Sequence, residues 1–522
     1  MSKKNKVLKN NIFKDNNFEY DKKFSRVSKL HKYWSRKPWY IVREYINTYS
    51  KEGQEVLDPF CGSGIIGLES ILANRNFCGY DLNPFAIFLA KTTLNTNFDI
   101  NVLQDAFSKL ELKISSEILK YYQYEKNEYI LYTISGFKKP DNYNAVVSNK
   151  LFKGKRQLKV SKKYLDPKIQ DLGNYAYPDK DFPKEFYKDR FSYKGISKVS
   201  DMFTKRNLRS LAVLNKAISE IDPELRDVFK LAFTNTLLHV SKLKSEGVRP
   251  LGVNNYWVPD DHIEENVWWR YKERFSNVLS ALDVIQERSV GSEIGKYQLN
   301  NESSLKLKRI KNESIDYIFT DPPYGDTIQY SELSYIWNCW LGVDFEIEEE
   351  VIINPKQKKG IHEYSGQLES FVSEMDRVLK ENSYFTLAFQ NKDVRIWIIL
   401  AEHIYSHQMK IVDISSYAVL GSPYNKNWAK FSPKSDFYVT FRKTGKKNVQ
   451  KKRYMEFYPE EIASEVLLDI KEVDLDVFDL NKAYDLFIAK VLEKIFKGEI
   501  PGDDIKNLNV KKIIKIFEDL TK

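Results

Sequence analysis

Two stretches decide how this chain folds: DPFCGSG at residues 58–64 and TDPPYGD at residues 320–326. The first follows the short strand-like run EVL and precedes IIGLES, so a strand, a glycine loop and a helix succeed one another. Glycine belongs where a backbone must turn sharply and let a ligand come close. The second stretch follows IDYIF, which puts it at the carboxyl end of another strand, the edge where open α/β sheets bind their ligands.

The same rhythm extends outward from both. Residues 31–51, HKYWSRKPWYIVREYINTYSK, read as a turn followed by an amphipathic helix with Pro38 near its start. Residues 77–80 form a second strand ending at Asp81, and residues 84–94 a helix opened by proline. The α/β pattern then stops for about two hundred residues, far beyond an ordinary connection. Inside that gap, 125–200 is rich in Lys, Tyr, Asn and turn formers with hairpin-like pieces, whereas helical spacing dominates from 200 to 282. The rhythm resumes with strands at 297–299, 315–319, 384–389, 410–416 and 437–441 and helices at 368–379 and 394–407. A basic linker at 443–453 leads to a charged, helical final stretch, and the first twenty-odd residues are polar and expected to fray.

Gly62, Gly64 and Gly67 also satisfy GxGxxG, the dinucleotide fingerprint. The two loop types differ in the charge they meet. A pyrophosphate against a helix N-terminus would be repelled by a carboxylate beside it, and Asp58 stands immediately before this loop. The ammonium group of S-adenosylmethionine is instead attracted there. Asp81 suits ribose hydroxyls in either case.

In DPPY, two prolines fix two φ angles and remove two backbone donors, leaving carbonyls facing a site. An exocyclic amine on a heteroaromatic ring is a poor nucleophile because its lone pair is delocalised. If the Asp321 carboxylate and the Pro322 carbonyl accept its hydrogens, the nitrogen moves toward tetrahedral geometry and the lone pair is freed. Pro323 stiffens the turn, and Tyr324 offers an aromatic face for an extruded base. Methylation at a cytosine carbon needs a thiolate, but Cys61 lies in the glycine loop and Cys339 in IWNCWLG. That chemistry is not expected.

Bulk properties narrow the rest. The 522 residues suffice for two or three domains, and no run approaches a membrane span. Cys61, Cys78 and Cys339 form no CxxC pair, so neither a disulfide framework nor a zinc ribbon is expected and a reducing cytoplasm is the expected location. His403 and His407 have i, i+4 spacing but lack a third ligand, so no metal is expected. Trp268, Trp269 and Tyr271 read as helix core. The net charge of +10 is concentrated: residues 131–210 carry 19 Lys and Arg against 8 Asp and Glu, an excess of 11. Charge focused in this way attracts a polyanion through counterion release, with a solvated lysine-rich face as the plain alternative. Lys153, Lys155, Arg156, Lys159, Lys162 and Lys163 are the candidate contacts.

With both motifs in place, the chain resembles the DNA amino-methyltransferases that modify N6 of adenine or N4 of cytosine. The resemblance covers 31–94 and 297–443. It implies a Rossmann-like S-adenosylmethionine-dependent methyltransferase sheet with a large α+β insertion and a small helical C-terminal domain. On that reading residues 25–104 and 295–445 are the two catalytic parts, 105–294 the inserted target-recognition region and 446–522 the helical appendage. Asp58, Phe60, Gly62, Ser63, Gly64, Asp81 and Asn83 are implied to bind the cofactor. Glu302, in NESS, stands in the place of the acid that contacts its adenine. Asp321, Pro322, Pro323 and Tyr324 are implied to be catalytic. HKYWSRKP resembles the stretch that packs over the methionine end.

The order of the parts is similar to the class with its recognition domain between the motifs, and the string TDPPYGDTIQYSELSYIWNCWLG resembles bacterial adenine-specific methylases. Many of those carry a zinc ribbon in the insertion; residues 105–294 here contain no cysteine. The implied reaction is methylation of adenine N6 in double-stranded DNA, with a restriction or phage-defence protein as a further implied partner. N4-cytosine methylation, an RNA guanine-N2 methyltransferase and a non-catalytic DNA-binding subunit are the competing readings.

Overall fold

The computed structural model describes residues 24–136, 142–164, 175–246, 250, 255–344, 346–391, 393–418, 435–445, 458–472, 480–497, 499 and 510–521. The expected frayed start and most of the expected basic linker lie outside these residues. In chain order the first elements are α1 (Trp39–Tyr49), β1 (Glu55–Asp58), α2 (Ile65–Ile71), β2 (Asn76–Tyr80), α3 (Pro84–Leu94) and α4 (Ile100–Leu119). A group of strands follows: β3 (Gln123–Glu125), β4 (Glu128–Gly136), β5 (Asn142–Ser148) and β6 (Arg156–Ser161). Then come α5 (Lys205–Ser219), α6 (Pro223–Leu237), β7 (Asp261–Glu265) and α7 (Val267–Ser289). The second motif lies among β8 (Tyr297–Asn300), β9 (Ile315–Thr320), α8 (Tyr330–Leu341), α9 (Ile361–Val378), β10 (Leu379–Phe389), α10 (Val394–Ser406), β11 (Met409–Ala418) and β12 (Ser435–Lys443). The last helices are α11 (Pro459–Glu472), α12 (Leu480–Phe496) and α13 (Val510–Leu520).

Among the described residues, seven strands form one mixed sheet in the order β11-β12-β10-β9-β1-β2-β8. β1 pairs parallel with β2 on one side and β9 on the other, while β12 runs antiparallel to both β10 and β11. The chain steps outward in opposite directions from β1, so a crevice opens at the carboxyl ends of β1 and β9. Asp58 and Thr320 sit at those ends.

Alternation along the central strands divides two cores. Val56, Tyr317 and Phe319 face the core built with α1, α2, α3 and α8. Leu57 and Ile318 face the other, built with α9 and α10. α12 joins this second core directly, with Phe496 edge-on to Phe441 of β12 at 5.1 Å. The C-terminal helices therefore extend the sheet's own packing.

The long gap between the motifs is bipartite, as its composition suggested. β3 to β6 form an antiparallel sheet, with β7 added on the free edge of β4 through the register Tyr132↔Glu265 to Gly136↔Asp261. The helices α5, α6 and α7 instead continue the first core, with α6 against α3 and α8 and with α5 and α7 packed on α6 and α4. Five elements were not placed from sequence pattern: α4, β3, β5, β7 and α8.

Candidate active site

The glycine loop carries out two different tasks. Gly62 has φ +46°, and a Cβ there would lie 2.9 Å from the Tyr33 ring, so glycine is needed for both conformation and clearance. Gly64 has φ +77°, and its Cβ would strike Leu94 and Ala90 of α3 at 2.8 and 2.9 Å. Gly64 seats α2 on α3, and the cleft is lined by Gly62 and Ser63 without it.

That cleft, about 830 Å³ and open to solvent, runs from the glycine loop to Asp321. Its polar wall includes Asp58, Asp81, Asp321, Glu349 and Glu350, against Arg36 and Lys37, so its field favours a cationic occupant. Asp58 is fully buried; its Oδ1 accepts from Phe60 N at 3.1 Å and from Thr320 Oγ1 at 2.7 Å. Its Oδ2 is buried without a hydrogen-bond partner. Burial pushes the Asp58 carboxyl up to about 8. Asp81 accepts from Gly62 N and Asn83 N, each at 2.9 Å, and burial raises it to about 6.

Asn83 reaches the cleft but its carboxamide is engaged in structure: it caps α3 through Phe85 N and links to Ser334 and Asn338 of α8. Phe60 packs on Phe371, with ring centroids 5.2 Å apart. Glu302 is not among the lining residues; it accepts from Arg309 at 2.6 Å, while its neighbours Ser303 and Ser304 do line the cleft.

The DPPY turn is held by hydrogen bonds to two of its carbonyls. Tyr364 OH donates to the Pro323 carbonyl at 2.8 Å, and Asn391 donates to the Tyr324 carbonyl at 3.1 Å. The Pro322 carbonyl accepts no hydrogen bond from the described residues. Tyr324 is buried, its ring edge-on to Phe389 at 5.0 Å, and its hydroxyl donates to Asp321 Oδ1. In this conformation the tyrosine therefore presents its hydroxyl to the site, where an open stacking face was expected. Burial pushes Asp321 up to about 6, with the Lys37 ammonium pulling against it.

Several residues in the cleft were not singled out from sequence. Tyr33, Trp34 and Lys37 come from the segment before α1, and Tyr330 from the start of α8. Tyr33 and Trp34 both lie 6.1 Å from Tyr330, which makes an aromatic wall facing the glycine loop. The usable signal was the density of aromatics and cations in HKYWSRKP just ahead of a helix-opening proline.

The other candidates divide. Cys61 and Cys339 are buried with thiols raised by that burial, Cys339 to about 11, which opposes a thiolate nucleophile. His403 and His407 contact Ser365 and Ser373 of α9. Trp268 and Tyr271 are buried, but Trp269 is partly exposed between Lys155 at 5.2 Å and Arg270 at 4.7 Å. Lys153, Lys155, Arg156, Lys159 and Lys163 are exposed on the β5–β6 hairpin and just beyond it, with Arg156 paired to Glu128 at 2.6 Å. The Lys162 side chain lies outside the described residues.

A glycine loop and a DPPY turn at adjacent strand ends, opening into one acidic cleft, define an amino-methyltransferase type of protein. The family model for DNA methylases of the N6/N4 type matches residues 1–92 and 315–486, just over half of the chain, and the chain belongs to that family. It is 25% identical over 327 residues to the type II methyltransferase M.MvaI of Kocuria varians, covering 60% of this chain and 57% of that protein. It is 24% identical over 406 residues to the type II methyltransferase M.MjaII of Methanocaldococcus jannaschii, covering 70% and 72%. A shorter match, 33% over 70 residues, links it to the type II methyltransferase M2.DpnII of Streptococcus pneumoniae, over 13% of this chain and 26% of that one. The chain thus spans little more than half the length of M.MvaI. No helix among the described residues is long and apolar enough to cross a membrane.

Proposed function

We propose that this protein transfers a methyl group from S-adenosylmethionine to the N6 amino group of an adenine extruded from double-stranded DNA, on a Rossmann-like sheet. One observation carries the reading. Asp58 and Asp321 stand at neighbouring strand ends in one cleft, joined through Thr320, while the Pro322 carbonyl beside them has no partner among the described residues. A carboxylate and an open carbonyl are the two acceptors that an exocyclic amine requires.

The residues present fit the cofactor. The partnerless, buried Oδ2 of Asp58 lacks only a cationic donor, which the methionine ammonium provides. Asp81, Ser63 and the backbone of Gly62 suit the ribose and the close approach of a nucleoside. When bound, the cofactor supplies an electrophilic methyl group on a sulfonium. Asp321 and Pro322 orient the amine, and Asp321 takes the proton that the nitrogen sheds once the N–C bond has formed. The acceptors serve N4 of cytosine equally well; adenine is put first because DPPY, by resemblance, accompanies adenine enzymes more often. The type II names of the relatives support a restriction–modification setting.

The test is to incubate the protein with labelled S-adenosylmethionine and separate DNA and RNA pools, digest to nucleosides and identify the product. N6-methyladenine in DNA is expected. N4-methylcytosine would correct the base, and label confined to RNA guanine would sink the proposal.

A further inference from the structure

Lys37 lies outside both motifs, yet its ammonium is buried in the centre of the DPPY site. Its Nζ donates to Tyr324 OH at 2.5 Å and pairs with Asp321 Oδ2 at 3.2 Å and with Asp436 Oδ2 at 3.1 Å. An ammonium has three donors, and these three acceptors match them in number. The lysine is 5% exposed, a setting in which an isolated ammonium would shed its proton. Burial does pull it down, but Asp321 and Asp436 outweigh that and hold it above its ordinary value.

The consequence falls on Asp321. Tyr324 OH occupies one lone pair of Oδ1 and Lys37 one of Oδ2. A carboxylate offers about four acceptor sites, so both oxygens keep capacity for an amine, and the plane of the group is fixed. The groups facing Asp321 are Lys37 from the segment before α1, Tyr324 from its own turn, Asp436 from β12, Asp58 from β1 and Tyr330 from α8. Lys37 is the one cation in that set, and Asp436 both anchors it and competes for it.

We propose that Lys37, tethered by Asp436, is the positioning residue that keeps Asp321 ionised and turned toward the incoming amine. The inference rests on the methyltransferase reading above and adds to it a charge relationship between three distant parts of the chain. Lys37 acts through Asp321 and does not itself touch the reacting atoms.

The test compares the full-length wild type with Lys37→Gln, Lys37→Arg and Asp436→Asn. Single-turnover methyl transfer to DNA is followed as a function of pH, and S-adenosylhomocysteine binding is measured by calorimetry. Removing an adjacent opposite charge raises a carboxyl by about 1–3 pH units. The acid limb of Lys37→Gln should therefore move up by that amount, with rate recovered as pH rises, while Lys37→Arg stays near wild type. Asp436→Asn should move the limb the other way, because a competing negative charge is gone. This opposite shift is one that a merely structural residue would not produce, and it survives as a test even if Lys37→Gln does not fold. Limbs that stay put in both variants overturn the inference, as does loss of S-adenosylhomocysteine binding in step with rate, which would make Lys37 a cofactor ligand. A wild type that methylates no amine would instead remove the functional reading beneath it.

Discussion

Asp58 was legible in the sequence as a residue; its environment was not. Its position before the glycine loop was visible, but its complete burial and its bond from Thr320 depend on β1 and β9 lying side by side across more than half the chain. Because burial raises Asp58 to about 8 and Asp81 and Asp321 to about 6, the native state holds protons that the unfolded chain releases nearer pH 4. The contribution of these three carboxyls to the stability of the cofactor-free protein should accordingly fall as pH rises from about 4 to about 8. Asp58→Asn keeps an oxygen for Phe60 N and Thr320 but carries no charge. At pH 8 it should melt about 1–3 °C higher than wild type without cofactor, yet bind S-adenosylmethionine at least about 30-fold more weakly, as expected when one member of a buried charge pair is removed. Melting curves at pH 5 and pH 8 with and without the cofactor check both halves; a variant that binds normally would detach Asp58 from the ammonium. At Asp321 the expectation is reversed: Asp321→Ala should lower transfer by about 100-fold or more while cofactor affinity in calorimetry stays within a few fold.

Elements divide between those announced by local pattern and those made by distant partners. The strand–loop–helix around Gly62 and Gly64, the proline-opened α3 and the strands leading into DPPY were all legible, because period, glycine and proline act within a few residues. β7 was hidden because its sequence, DHIEE, is charged and short. Its two glutamates are nevertheless buried, since helices supply their counter-charges. Glu264 meets Arg206 of α5, both side chains at most 2% exposed, and Glu265 meets Arg270 of α7 at 2.6 Å. Two-residue alternation cannot reveal a strand whose inward residues are ionic. The arrangement also makes β7 the tie between the small sheet and the helices α5 and α7. Glu264→Ala leaves the Arg206 guanidinium buried without its charge partner, and should destabilise the protein by about 3–5 kcal/mol. Denaturant unfolding measures this; a loss below about 1 kcal/mol would mean that water reaches Arg206.

At the scale of the whole molecule, the chain leaves its main sheet after α3 and returns at β8, and the two halves of that excursion have different physical characters. α5, α6 and α7 bury their apolar faces in the first core, so they pack as part of the main sheet's own core. The antiparallel strands carry the positive charge outward: Lys153, Lys155 and Lys159 are exposed. Charge counting along the sequence marked this region but could not sort its members. Arg156 already spends its guanidinium on Glu128, and Lys155 lies over the partly exposed Trp269, a cation beside an aromatic face. If this hairpin is the DNA contact, each phosphate that its lysines neutralise adds about 0.9 to the slope of log affinity against log salt. Replacing Lys153, Lys155 and Lys159 with glutamine should therefore flatten that slope by about 0.9 for each phosphate that is no longer neutralised. Arg156→Gln alone should change it little, because that charge is already paired. Cofactor binding should not move in either variant, since none of these residues lines the cleft. Titrations across a salt series, with calorimetry for the cofactor, read the two effects separately. An unchanged slope in the triple variant would mean that the hairpin lysines are a solvated face and that DNA is held elsewhere.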